Sequence, residues 1–205
     1  TASVDAPINE VLAAGLIKLT GWDFKSDFID PFCGSGTILV EAALMARNIY
    51  PGVFRKKFGF ENWKDFDPEL LQEIYDDDTQ ERAFDHKIYG YDLNLRAIEA
   101  ADANVKAAGV SDIVTLEQRD FQKFEQPAEK AIMVTNPPYG ERLKPEDLTG
   151  LYQMIGKTLK HSFCGNEAWI ISYKEECFEA IGLKPSFKIP LYNGALDCEF
   201  RKYQL

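Results

Sequence analysis

The residues with the most specific chemistry in this chain are Asn136-Pro137-Pro138-Tyr139. Proline fixes φ and carries no N–H, so two in succession can hold a backbone carbonyl beside the Asn136 side-chain oxygen. Two acceptors then face the two hydrogens of an NH₂ group. The exocyclic amine of a base is a poor nucleophile, because its lone pair is delocalised into the ring. Accepting both N–H bonds pulls the nitrogen toward tetrahedral geometry and steadies the positive charge that develops as it attacks a methyl carbon. Tyr139 can stack on a base turned out of its helix. The simpler alternative is a rigid turn that closes a strand.

Three other clusters bear on the same chemistry. In Asp30-Pro31-Phe32-Cys33-Gly34-Ser35-Gly36, the glycines permit a tight turn and close backbone approach, and the helix that follows offers unpaired N–H groups to an anion. Leu39 stands where G-x-G-x-x-G has its third glycine, and the lysine of a triphosphate-binding loop is missing. Asp92, followed by Leu93, can accept both hydroxyls of a ribose. Asp120 can accept from an adenine amine while Phe121 lines the ring. Each has a plainer alternative: a strand-to-helix turn, a helix cap at Asp92, and a polar loop residue at Asp120.

These clusters need a scaffold, and the pattern supplies one. Residues 7 to 20 have helical apolar spacing, with Pro7 in the first turn and Gly21 as the stop. Strand 27–30 runs into the glycine loop and helix 37–48, the opening unit of a doubly wound sheet. Residues 50–86 break the rhythm and read as an insertion with a short helix at 68–75. Alternation resumes with strand 87–91, helix 94–108, strands 113–117 and 130–135, helix 147–161, strand 167–172 and helix 174–181. Strands near 184–191 and 195–204 flank Asn193-Gly194, a strong hairpin signal. The fold class is therefore α/β, a mostly parallel sheet with a terminal antiparallel hairpin, in one domain over residues 1–205.

The 205 residues carry 23 Lys+Arg against 33 Asp+Glu, a net charge of −10. Such a chain has no basic face with which to neutralise a nucleic-acid backbone by itself. A nucleic-acid substrate then calls for a basic partner or a further module, and Arg55, Lys56, Lys57, Arg142 and Lys144 are the candidates for a local positive track. No apolar run reaches the roughly 18 residues of a membrane span, and no signal peptide is evident. Four cysteines without a C-x-x-C pair and two histidines support neither a zinc site nor a disulfide framework, so reduced thiols in a cytoplasmic protein are expected. Thr1 in place of a starting Met is the expectation for a domain of something longer.

The order DPFCGSGT, YGYDLN, RDF, NPPYGERL resembles the S-adenosylmethionine-dependent amino-methyltransferases. It is closest to the bacterial RNA methylase family once labelled N6-adenine-specific DNA methylases, which includes the guanine-N2 methyltransferase of large-subunit ribosomal RNA. The opening APINEVLAAGLIKLTGW, the insertion PGVFRKKFGFENW and the closing LYNGALDCEF are similar too. The resemblance implies a class I, Rossmann-like methyltransferase using S-adenosyl-L-methionine, with no metal. It implies that Asp30, Phe32, Cys33, Gly34, Ser35 and Gly36 hold the methionine part, Asp92 and Leu93 the ribose side, and Asp120 and Phe121 the adenine. Asn136 to Tyr139 would meet the target amine. The expected substrate is guanine N2 of 23S ribosomal RNA, with adenine N6 in DNA, guanine N2 in tRNA, or an idle cofactor-binding module as alternatives. Family members usually carry an N-terminal RNA-binding THUMP module, which these residues lack.

Overall fold

The computed structural model describes residues 8–51, 57–139 and 145–205. Helix α1 spans Glu10–Thr20, strand β1 Asp27–Asp30 and helix α2 Thr37–Arg47. Among the described residues of the insertion, a 3₁₀ turn spans Gly59–Asn62 and helix α3 spans Pro68–Asp76. The Rossmann-like alternation follows: β2 Ile88–Asp92, α4 Leu95–Ala107, β3 Val114–Gln118, β4 Ala131–Thr135, α5 Pro145–Ser162, β5 Glu167–Ser172 and α6 Glu175–Ile181. Strands β6, Phe187–Asn193, and β7, Leu196–Gln204, close the chain.

The described strands form one sheet in the order β3-β2-β1-β4-β5-β7-β6. Strands β1 to β5 pair in parallel, and β7 enters antiparallel between β5 and β6. Every residue of β1 and β4 is buried, as expected of central parallel strands covered on both faces. Phe28 faces the core shared with α1, α2 and α4, and its neighbour Ile29 faces the core under α5 and α6. Strand order reverses between β1 and β4. At such a switch point the loops leaving the two strands diverge and open a crevice at their carboxyl ends.

Most element boundaries shift from the sequence pattern by one or two residues, β6 starts three residues later than expected, and two of the differences have a local cause. Helix α1 starts at Glu10, where the Asn9 side chain accepts from the Val11 N–H at 2.8 Å and caps it; Pro7, expected in the first turn, lies outside the described residues. The hairpin loop is Gly194-Ala195, since Asn193 pairs with Leu196 as the last rung of the ladder. Gly194 takes φ 61°, the positive value a tight primed turn needs at its first loop position.

The insertion leaves and returns at the amino edge of the sheet. The Arg82 guanidinium donates to the carbonyls of Met45 and Ala46 at the end of α2, and Arg47 pairs with Asp112 just ahead of β3. No described residue from 57 to 87 is buried, and Trp63, Leu70 and Ile74 are exposed. All four cysteines are free. Among the described residues no helix is long and apolar enough to cross a membrane, and no group of three or more His, Cys, Asp or Glu is placed to hold a metal ion.

Candidate active site

The clusters singled out in the sequence converge on the carboxyl edge, around the β1/β4 switch point. Asp30 ends β1, Asp92 ends β2, Asp120 follows β3 and Asn136 follows β4. Gly36 is the N-cap of α2 with φ 81° and offers no side-chain cap, so the first-turn N–H groups of that helix are left without one. A Cβ on Gly36 would sit 3.1 Å from the Ala101 Cβ, which shows how closely the loop is laid against α4. Gly90 in β2 plays a matching part: a Cβ there would meet Leu39 at 2.2 Å and Leu116 at 2.7 Å.

The two carboxylates have different jobs. Asp92 accepts from the Gly34 N–H at 3.0 Å with one oxygen and from the Asn94 N–H at 2.8 Å with the other. It thus ties the glycine loop to the start of α4, while the cap of that helix is Asn94, whose side chain accepts from Arg96. The helix-cap alternative for Asp92 is excluded on that ground. Each Asp92 oxygen retains acceptor capacity, and the residue is only half-buried. Asp30 is 1% exposed, and its Oδ1 accepts from the Thr135 hydroxyl at 2.6 Å and the Phe32 N–H at 3.2 Å. Burial pushes its pKa up to about 7, with the charge of Asp92 adding to the rise and the two hydrogen bonds opposing it. Burial drives the Cys33 thiol far above its usual range, with the charges of Asp30 and Asp92 adding to the rise, so it serves as an apolar wall.

On the far side of Asp92 the exposed Leu93 and Asp120 border a cleft of about 500 Å³, with Gln118 and Arg119. Asp120 caps a 3₁₀ turn by accepting from Gln122 at 3.0 Å. Phe121 is 4% exposed, covered by Phe32 and Phe124 at ring distances of 5.5 and 5.4 Å. The open apolar surface beside the cleft belongs to Leu93, whereas Phe121 is buried in the core. Ser35 accepts from the Asn104 side chain through its carbonyl at 2.8 Å, which fixes the loop from the α4 side. A half-buried carboxylate with spare acceptor capacity, an exposed apolar side chain and an uncapped helix start suit an adenosine whose tail ends in an anionic group.

Asn136 is half-buried, Pro137 buried and Pro138 exposed. The Asn136 Oδ1 is buried and receives no hydrogen bond among the described residues. An acceptor in that condition is costly, and such groups in folded proteins call for an explanation. Tyr139 packs its ring edge-on to Tyr173 at 5.3 Å, and its hydroxyl accepts from the Asn193 side chain at 2.7 Å. Burial raises the Tyr139 pKa, and the side chains of Asn193 and Asn136 beside the hydroxyl oppose that rise. Tyr173 and Asn193 are members of the site that the sequence pattern did not single out. Asn193 was visible only as a turn signal. Of the expected positive track, Arg55, Lys56, Arg142 and Lys144 lie outside the described residues, and the insertion that carries Lys57 is anchored at the opposite edge of the sheet.

Residues 1–202 match the family model described as RMKL-like, methyltransferase domain. Among curated proteins, the ribosomal RNA large subunit methyltransferase K/L of Vibrio campbellii is 39% identical over 98% of this chain. That of Aliivibrio salmonicida is 40% identical over the same share. The chain spans only 29% and 30% of the length of these two relatives. Among solved structures, SMU.472 in complex with S-adenosylhomocysteine superposes with a TM-score of 0.88 at 33% identity, covering 98% of this chain and 54% of that one. A predicted N6-adenine-specific DNA methylase from Listeria monocytogenes gives 0.86 at 34% identity, covering 98% and 52%.

Proposed function

The chain belongs to the RMKL-like methyltransferase domain family, and from that premise we propose that it transfers the methyl group of S-adenosylmethionine to guanine N2 in the RNA of the large ribosomal subunit. The observation that carries this reading is the unpartnered, buried Oδ1 of Asn136 at the switch point, two strands from Asp92. Support for the cofactor comes from the S-adenosylhomocysteine bound by SMU.472, and support for the RNA comes from the names of the K/L relatives.

When bound, S-adenosylmethionine supplies an electrophilic methyl on a sulfonium that leaves as a neutral thioether. The Asp92 carboxylate accepts from the ribose hydroxyls, Leu93 packs against the adenine, and Asp120 offers its free oxygen to the adenine amine. Asp30, with the loop from Phe32 through Cys33, Gly34, Ser35 and Gly36, faces the methionine end. Asn136 Oδ1 and a carbonyl of the Pro137-Pro138 turn accept the two N–H bonds of the target amine. That directs its lone pair at the methyl carbon and stabilises charge as the new bond forms. Neither acceptor is a strong base, so the surplus proton leaves to solvent after transfer. Tyr139 walls the pocket and presents an aromatic face to the base.

The test is nucleoside mass spectrometry on unmodified large-subunit RNA, adenine-containing duplex DNA and tRNA transcripts, each incubated with the chain and the cofactor. N2-methylguanosine in the ribosomal transcript is the expected product. N6-methyladenine in DNA, or product in tRNA alone, would replace the proposed substrate, and cofactor binding without any transfer would make the chain an idle module.

A further inference from the structure

Asparagine at position 193 is not explained by the backbone around it. Positive φ, the usual reason for Asn at a hairpin, falls on Gly194, and Asn193 sits in the ladder opposite Leu196. Asn is disfavoured in strands. Its amide reaches out of the hairpin to a residue 54 positions earlier in the sequence, donating through Nδ2 to the Tyr139 hydroxyl at 2.7 Å. Strand β6 runs parallel to β5, since both are antiparallel to β7, so its last residue arrives at the same carboxyl edge as Asn136 and Tyr173.

Tyr139 is therefore held at two points, by Asn193 at its hydroxyl and by the Tyr173 ring at its flank. The same hydroxyl lies beside the Asn136 side chain, whose Oδ1 is the unpartnered acceptor. We propose that Asn193 is a positioning residue, which clamps Tyr139 and through it keeps the Asn136–Tyr139 turn in the geometry that offers its acceptors to the target amine. The inference rests on the methyl-transfer reading above. Asn193 itself touches no reacting atom. Its contribution is orientation, and small misplacements of groups around a reacting centre cost large factors in rate.

The test pairs kinetics with a probe that needs no substrate. The chain is labelled with 3-fluorotyrosine, and the Tyr139 resonance is assigned by its disappearance in Tyr139→Phe. Asn193→Ala should shift that ¹⁹F resonance, whereas Tyr192→Ser, at the exposed neighbouring position, should leave it in place. On unmodified large-subunit RNA, Asn193→Ala should lower turnover about tenfold with an unchanged KM for S-adenosylmethionine, an effect of the size expected for lost orientation. In a Tyr139→Phe background, Asn193→Ala should cost nothing further, because its partner atom is already gone. An unmoved resonance, full turnover in Asn193→Ala, or losses that simply multiply in the double variant would each overturn the proposal. If the unaltered chain transfers no methyl to any nucleic acid, it is the proposed function that fails. The resonance alone then decides the clamp, a shift supporting it and no shift overturning it.

Discussion

At the scale of single residues, the site combines a carboxyl that is reluctant to ionise with an acceptor that has no donor among the described residues. Asp30 has a pKa raised from 3.8 to about 7 by burial, so the folded chain binds that proton more tightly than the unfolded chain does. Its stabilising effect is full below the unfolded pKa and is lost as pH climbs toward the folded one, a difference of about 4 kcal/mol on crossing the window. Asp30→Asn should therefore flatten the fall in melting temperature between about pH 4 and pH 7.5, as read by differential scanning fluorimetry. A slope equal to that of the unaltered chain would show that Asp30 does not hold the proton. For Asn136 the expectations separate activity from stability. Asn136→Ala should lower turnover by about 10²–10³ with cofactor affinity intact. It should not lower the melting temperature, because it deletes a buried acceptor that is already unsatisfied. Calorimetric titration with S-adenosylmethionine and a thermal melt on the same variant check both. The carboxylates and Asn136 were legible in the sequence because each ends a strand at a motif. Tyr173 and Asn193 were not, because what recruits them is a ring contact and a hydrogen bond between distant strands, and neither leaves a local pattern.

At the scale of elements, helix α5 carries two glycines with opposite meanings. A Cβ on Gly156 would lie 1.9 Å from the Ile181 carbonyl oxygen at the end of α6, a backbone atom that cannot turn aside, whereas one on Gly150 would meet nothing within 4 Å. Gly156→Ala should destabilise the fold by about 1–3 kcal/mol or more as α6 is forced off α5. Gly150→Ala should stabilise it by about 0.5–1 kcal/mol, since glycine in a helix interior forfeits more entropy than alanine. Urea denaturation of the two variants tests the contrast, and equal effects would refute the close α5–α6 approach. The element pattern itself was largely readable: β5 was expected over residues 167–172 and is found at Glu167–Ser172. It was the ends that slipped. The opening helix starts at Glu10 behind the Asn9 cap, and the hairpin loop moved by one residue because the strands claimed Asn193 for their ladder. Pairing register is set by both strands together, and a turn motif read in one segment cannot fix it.

At the scale of the molecule, charge and topology pull in different directions. A net charge of −10 sets the chain against a polyanion. The 205 residues alone should bind RNA weakly, with an affinity that drops steeply as salt is raised, because what attraction exists comes from a few phosphate contacts. Filter binding across a salt series measures this, and tight, salt-insensitive binding would mean that the recognition surface lies within these residues after all.

The placement of β7 has a consequence for how the chain is made. Strand β7 follows β6 in the chain yet must slide between β5 and β6, and among the described strands β6 pairs with β7 alone. Until it emerges, β5 ends the nascent sheet as an open edge, a ready template for pairing with another chain. Asn193 cannot be delivered to Tyr139 before that moment, so the pocket is completed only after β7 has been made. A chain stopped after Ala195 should keep the five parallel strands yet accumulate as aggregates, and a synthetic Leu196–Leu205 peptide added during refolding should recover soluble protein in trans.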